Sequence, residues 1–299
     1  MSSSAQPPFI SQLKLTNVLS FEDETIELQA LNVIIGPNGS GKSNLISALE
    51  VLHAAPTSFA AKFSSLGGIG QWIRHGSGTA SIEAKHLVLE QPDEHFPDTN
   101  TRVQISMQSV ANQVYVASEV IEHVHDEDPF FWYENSIPTV SVFDQGHGTW
   151  VAKALDPKTV DRRESILSQR RDPEAYPELF KLAVALESIR VYNQWTVGPK
   201  NVLRDFQSTD APTTYLAEDG SNTAVIVSRI RGSKNRAEFR EAIHEILDGA
   251  EIEVDIDQTR AQLFLFERGS QKVSARRLSD GTLRFIFLAA ILLQENLPA

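Results

Sequence analysis

The sequence predicts an α/β fold, a mixed sheet carrying a β-rich lobe and a helical insertion. It is read as one domain over residues 9–299, led by a disordered N-terminus at 1–8. Three observations carry this reading. Leu31-Asn32-Val33-Ile34-Ile35 is an apolar run closing on Gly36, the pattern of a strand buried on both faces. A glycine-rich stretch follows at once. Leu45, Ile46, Leu49 and Leu52 then recur at helical spacing, which predicts a helix from Lys42 to about Ala54.

The remaining elements follow in order. Ile10, Leu13, Leu15 and Val18 predict a first strand, and Ile26 and Leu28 a second, joined across the acidic residues Glu22, Asp23 and Glu24. Residues 79–143 read as β-rich. Val103, Ile105 and Met107 alternate with Arg102, Gln104 and Ser106, which predicts a half-exposed strand. Its partner is Val114–Val124, with the turn at Ala111-Asn112. Residues 153–175, charged and holding Pro157 and Pro173, read as a surface segment with some helix. Leu179, Leu182, Ala183, Leu186 and Ile189 share one helical face, as do Phe239, Ala242, Ile243, Ile246 and Leu247. Ile252, Val254 and Ile256 alternate with acids and pair with Leu263–Phe266 as a hairpin. An apolar helix runs from Leu283 to Leu293. No sustained heptads occur, so no coiled-coil arm is expected. Within the domain, 9–150 holds the glycine-rich loop and the β-rich lobe, 151–250 the mostly helical insertion, and 251–299 the closing lobe.

Composition limits the functions. The chain is 41% hydrophobic and 22% charged over 299 residues, enough for a sizeable core. Its 27 basic against 39 acidic residues give a net charge of −12, so any contact with nucleic acid must come from a local basic patch. The absence of cysteine excludes disulfides, Cys-ligated zinc, iron–sulfur clusters and thiol catalysis. The longest apolar run, Phe285–Leu293, is too short to span a bilayer, and the N-terminus lacks a signal-peptide pattern; a cytoplasmic location is expected.

The strongest motif is Gly36-Pro37-Asn38-Gly39-Ser40-Gly41-Lys42-Ser43, a match to G-x-x-x-x-G-K-[ST] between a predicted strand and a predicted helix. The glycines let successive backbone N–H groups face phosphates. Lys42 supplies a point charge for the β- and γ-phosphates, Ser43 a hydroxyl for Mg²⁺, and the helix N-terminus its partial positive charge. ATP with Mg²⁺ is the expected ligand pair. A second motif, Leu278-Ser279-Asp280-Gly281-Thr282, opens the last helix. Taken alone it is an ordinary N-cap; beside a phosphate loop it reads as a second anion site.

Together, GPNGSGKSN (with Asn44 as its last residue) and LSDGT resemble the ABC-type ATPase heads of the SMC and RecF class. Leu15–Phe21 looks like the strand that opens those heads near the base and ribose. Leu66–Trp72, Ala80–Glu83 and Tyr215–Asn222 are similar to stand-alone bacterial RecF-like AAA ATPases, relatives of the ATPase half of OLD-family nucleases. The resemblance implies a homodimer around ATP, in which Leu278, Ser279, Asp280, Gly281 and Thr282 of one chain act in trans on nucleotide held by Gly36–Asn44 of the other. It implies hydrolysis, with DNA repair and phage defence as recurring settings. It also implies a Walker B strand ending in Asp-Glu after the last helix, where this sequence stops at Leu297-Pro298-Ala299. Val140–Asp144 and Leu87–Glu90 are poor substitutes. The chain is therefore expected to hydrolyse ATP weakly alone, with its missing part lost by truncation or supplied by a second polypeptide. The alternative is a nucleotide-gated regulatory module that controls a partner effector such as a nuclease or toxin.

Other candidates are weaker. Gln71 has two readings, an Mg²⁺-sensing glutamine or a plain polar residue on a glycine-rich loop. His123, His125, Asp126, Glu127 and Asp128 read as a metal site or as an acidic solvated turn. Arg229, Arg231, Lys234, Arg236 and Arg240 form a local basic stretch, either a contact for nucleic-acid backbone or a solvated helix face. Trp72 and Trp195 are core or interface anchors sooner than base-stacking platforms.

Overall fold

The computed structural model describes residues 8–88, 100–123, 129–134, 137–144, 149–193, 195–211, 213–267 and 272–295. Its contacts divide the chain into two compact units, one ending at Ile189 and the other running from Arg190 to Pro298.

The first unit contains β1 (Gln12–Val18), β2 (Phe21–Glu27), α1 (Lys42–Ala54), α2 (Phe59–Ser65), α3 (Ile69–Trp72), β3 (Thr79–Val88), β4 (Asn100–Val110), β5 (Gln113–His123), β6 (Phe131–Glu134), β7 (Thr139–Asp144), β8 (Thr149–Ala154), α4 (Ile166–Gln169) and α5 (Pro177–Glu187). Its strands form one sheet in the order β2-β1-β3-β4-β5-β6-β7-β8, antiparallel throughout. One face of the sheet is buried. Val103, Ile105 and Met107 are shut from solvent while Arg102, Gln104 and Ser106 between them are half-exposed, as the alternation predicts. The β4–β5 turn falls at Ala111-Asn112, both left-handed (φ 50° and 62°), the two-residue geometry whose twist suits a hairpin. Helix α1 buries Leu45, Ala48, Val51 and Leu52 and packs on α2 and α5. Phe63 stands edge-on to both Phe59 and Trp72 at 5.1 Å.

Two expectations are corrected here. Leu31–Ile35 forms no strand, and Leu31, Val33, Ile34 and Ile35 are 78%, 80%, 52% and 88% exposed. Burying such a side chain completely is worth roughly 1.5–3 kcal/mol, of which each forgoes a half or more. Every registered strand pair among the described residues is antiparallel, within the expected α/β class. The segment at 153–175 is also less superficial than expected, because Ser165, Ile166 and Leu167 are buried.

That burial has a titratable partner. Glu119 on β5 is 2% exposed, and its carboxyl accepts from Ser165 Oγ at 2.5 Å and Ile166 N at 2.9 Å. Burial pushes its pKa up to about 7, against those two bonds, which favour the ionised form. Between the unfolded value near 4.5 and about 7 the folded chain holds a proton that the unfolded chain has released. This contribution is therefore complete below the unfolded value and is lost as pH rises through 7. Glu119→Gln is expected to remove that pH dependence, making the chain about 2–3 kcal/mol less sensitive than wild type between pH 5 and 8. Denaturant melts at the two pH values check it; equal slopes in both proteins would refute the assignment.

The second unit contains β9 (Gln207–Ser208), α6 (Thr223–Gly232), α7 (Arg236–Ile246), β10 (Glu251–Ile256), β11 (Arg260–Phe266), β12 (Lys272–Ser274) and α8 (Asp280–Leu293). The expected β10–β11 hairpin is present in a four-stranded antiparallel sheet, with β12 and β9 also paired to β11. Helix α8 packs on α6 and α7 and buries Leu283, Ile286, Phe287, Ala289 and Ala290. Gly220 turns the chain at φ 78°, and a Cβ there would stand 2.8 Å from Leu203 and 3.1 Å from Phe287. Asn222 fixes the same segment, accepting from Ala217 N and donating to Tyr215 O. At 14 residues α8 is the longest described helix. No described helix is long and apolar enough to cross a membrane.

Candidate nucleotide-binding site

The loop from Gly36 to Ser40 is exposed and runs into α1 through Gly41. Gly41 sits at φ 92°, and a Cβ there would stand 3.0 Å from Ser20 Oγ and 3.5 Å from the Phe21 ring, so only glycine fits. Gly39 is also left-handed, at φ 82°. No side chain caps the start of α1, which leaves its first N–H groups open to an anion. Lys42 Nζ donates to Gly36 O and Pro37 O at 2.7 Å each, and to Ser40 Oγ at 3.2 Å. The ammonium is thus held inside the loop by three oxygens of the loop itself. Ser43 is exposed. Among the described residues no carboxylate bonds to Lys42 or Ser43.

The β1–β2 connection closes on this loop. Asn44 Nδ2 donates to Ser20 Oγ at 2.8 Å. Asn17 and Leu19 take left-handed backbone (φ 54° and 50°), an uncommon state that places Ser20 and Phe21 against Gly41. The α3 segment is stitched to the same turn. Leu19 N donates to Trp72 O at 2.8 Å and Arg74 N to Asn17 O at 2.9 Å. Gln71 is exposed on that segment, its amide lying over Gly67. The loop and Gln71 are thereby tied to one turn, through Ser20, a contact that no local pattern announces.

In the second unit Ser279 caps α8. Its Oγ accepts from Thr282 N at 3.0 Å, while Ser279 and Gly281 face solvent and Leu278 is buried. Asp280 accepts from Arg204 Nη2 at 2.7 Å and from Gly198 N at 2.9 Å. The Arg204 guanidinium, then the Gly198 N–H, hold its carboxyl below the usual range. Arg204, 13% exposed, also donates to Gly198 O, Arg276 O and Leu278 O at 2.9, 3.1 and 2.7 Å. One planar fork therefore fixes the approach to the helix and its first residue. Arg204 carried no sequence signal, since its partners lie more than 70 residues away, apart from Gly198.

Residues 9–179 match the AAA ATPase domain family. The chain belongs to that family. No curated protein matches this AAA ATPase. Among solved structures it is similar to an SMC head bound to the C-winged helix domain of ScpA, at 12% identity over 96% of this chain and 76% of that one, with a TM-score of 0.49. It is also similar to the recombination mediator protein RecF with ATP, at 10% identity over 98% and 82%, with a TM-score of 0.36. A third likeness is to an SMC ATPase studied for ATP-driven dimerisation and DNA-stimulated activation, at 22% identity over 39% and 70%, with a TM-score of 0.30.

The weaker candidates of this AAA ATPase fall out unevenly. His123 is buried edge-on to Phe130, and the other four residues of the supposed metal cluster, 125–128, lie outside the described residues. No metal-holding group of His, Asp or Glu occurs among the described residues. Trp72 is core, and Trp195 packs on Phe287 at 5.3 Å. Arg229 donates to Thr213 O at 2.5 Å, while Arg231, Arg236 and Arg240 line a cavity together.

Proposed function

We propose that the chain binds ATP with Mg²⁺ at Gly36–Asn44 and that two copies engage head to head around the nucleotide. The observation that carries this reading is Lys42 held on loop oxygens beside an uncapped helix start. These residues suit a triphosphate: Lys42 exchanges carbonyl oxygens for phosphate oxygens, and the first N–H groups of α1 face the same anion. Ser43 would hold Mg²⁺ through its hydroxyl, with Gln71 on the adjoining segment. The metal supplies charge neutralisation on the β- and γ-phosphate oxygens. Ser279 and Gly281 of the partner copy, exposed on a turn fixed by Arg204, close on the γ-phosphate from the other side. The dimer is held by ATP because both copies contact the same phosphate, and hydrolysis releases it.

Turnover by the chain alone is expected to be slow. Among the described residues no carboxylate is hydrogen-bonded to Lys42 or Ser43, and none is assigned as the group that would activate an attacking water. The exposed apolar run at 31–35 suits pairing with a further strand that carries an Asp-Glu pair, such as one from a second polypeptide. We expect a turnover number well below ~1 s⁻¹, the low end of ordinary enzymes, in a phosphate-release assay of the isolated chain. A value in the ordinary range would overturn this part. Slow turnover with tight binding would favour the second reading, a nucleotide-gated module that controls a partner effector such as a nuclease or toxin; DNA repair or phage defence is the setting proposed for the first.

A further inference from the structure

The chain has 39 acidic against 27 basic residues. Arg74, Arg102, Arg171, Arg204 and Arg276 each pair with a carboxylate. The guanidiniums of Arg231, Arg236 and Arg240 do not: among the described residues none has an ion-pair or hydrogen-bond partner. All three line one cavity of about 80 Å³ in the second unit. Arg231 leaves the last turn of α6. Arg236 and Arg240 lie one turn apart on α7 and share a face with Phe239 and Ile243. Phe239 and Ile243, with Ile252 of β10, are buried and give the cavity an apolar floor.

Glu251 stands exposed at the rim and comes within ion-pair distance of no guanidinium among the described residues. Glu238 and Glu241 lie on other faces of α7, one or two residues from an arginine and so turned away from it. Arg236 and Arg240 are exposed and Arg231 half-exposed, so the three arginines line a cavity with an apolar floor that an anion from solution can reach.

We propose that this cavity binds one phosphate group. Its volume exceeds the roughly 10–15 Å³ of free space that a single water needs, so it has room for a polyatomic anion. A carboxylate has two oxygens in one plane and matches one guanidinium fork. A phosphate offers oxygens in several directions and a second charge, and so engages forks arriving from two helices. The phosphate is carried either on a small anion or on a nucleic-acid strand.

The test uses the full chain carrying Lys42→Ala, so that binding at the glycine-rich loop does not contribute and failure here leaves the proposed ATP site untouched. Inorganic phosphate and a 5′-phosphorylated single-stranded oligonucleotide are titrated separately. Binding is expected, weakened about 10-fold or more by either Arg236→Ala or Arg240→Ala with unchanged melting, and unaffected by Arg163→Ala. An oligonucleotide that binds far more tightly than phosphate, with a salt dependence falling by about one ion per arginine removed, identifies a strand as the bearer; comparable binding identifies a small anion. No binding of either probe, equal binding by the arginine variants, or displacement of phosphate by polyglutamate would overturn the proposal.

Discussion

Lys42→Ala is expected to abolish ATP binding, with affinity falling at least ~100-fold in a titration with MgATP. The ammonium donates to three oxygens of the loop, two of them backbone carbonyls at 2.7 Å. Charge-assisted bonds of this kind are worth roughly 1.5–3 kcal/mol each, and two transferred to phosphate oxygens account for the loss. Folding should survive. Lys42 opens α1 from a half-exposed position, while the burial that holds the helix comes from Leu45, Ala48, Val51 and Leu52. Binding retained in the folded variant would take Gly36–Asn44 out of the site.

Ser279→Arg is expected to leave ATP binding intact and to prevent ATP-dependent dimerisation, read by sedimentation or light scattering with and without MgATP. Two effects add. The variant loses the cap on Thr282 N, worth about 1 kcal/mol of stability, and places a long cation on the exposed face meant to meet the partner's nucleotide. Arg204→Ala should reach the same loss of dimer by another route. It removes the ties to Gly198, Arg276, Leu278 and Asp280 and lowers stability by roughly 2–4 kcal/mol, which Ser279→Arg does not. A Ser279→Arg chain that still dimerised on ATP would refute the paired arrangement.

What could be read from the sequence was local. The helix at Lys42–Ala54, the turn at Ala111-Asn112 and the β10–β11 hairpin follow from periodicity and turn chemistry within a dozen residues. The glycine-rich loop was legible because its spacing dictates a backbone shape, and Gly41 indeed holds the left-handed state that the loop needs. What depended on distant partners was not legible. The run Leu31–Ile35 has the composition of a buried strand, but composition records what a segment can bury and not which neighbours are present. Arg204 and Glu119 belong to no local pattern, because the residues that close on them lie 46 to 76 positions away. Ser20 acquires its meaning only when the left-handed backbone at Asn17 and Leu19 swings it against Asn44.

The central claim is that each ATP is held between Lys42 of one copy and Ser279 of another. The most direct test mixes two disabled chains, Lys42→Ala and Ser279→Arg, and measures mass with MgATP. Neither should dimerise alone. The mixture should form a heterodimer of twice the chain mass, because the intact loop of the Ser279→Arg chain meets the intact Ser279 of the other. A mixture that stays monomeric with ATP, while the wild-type chain dimerises, would contradict the account.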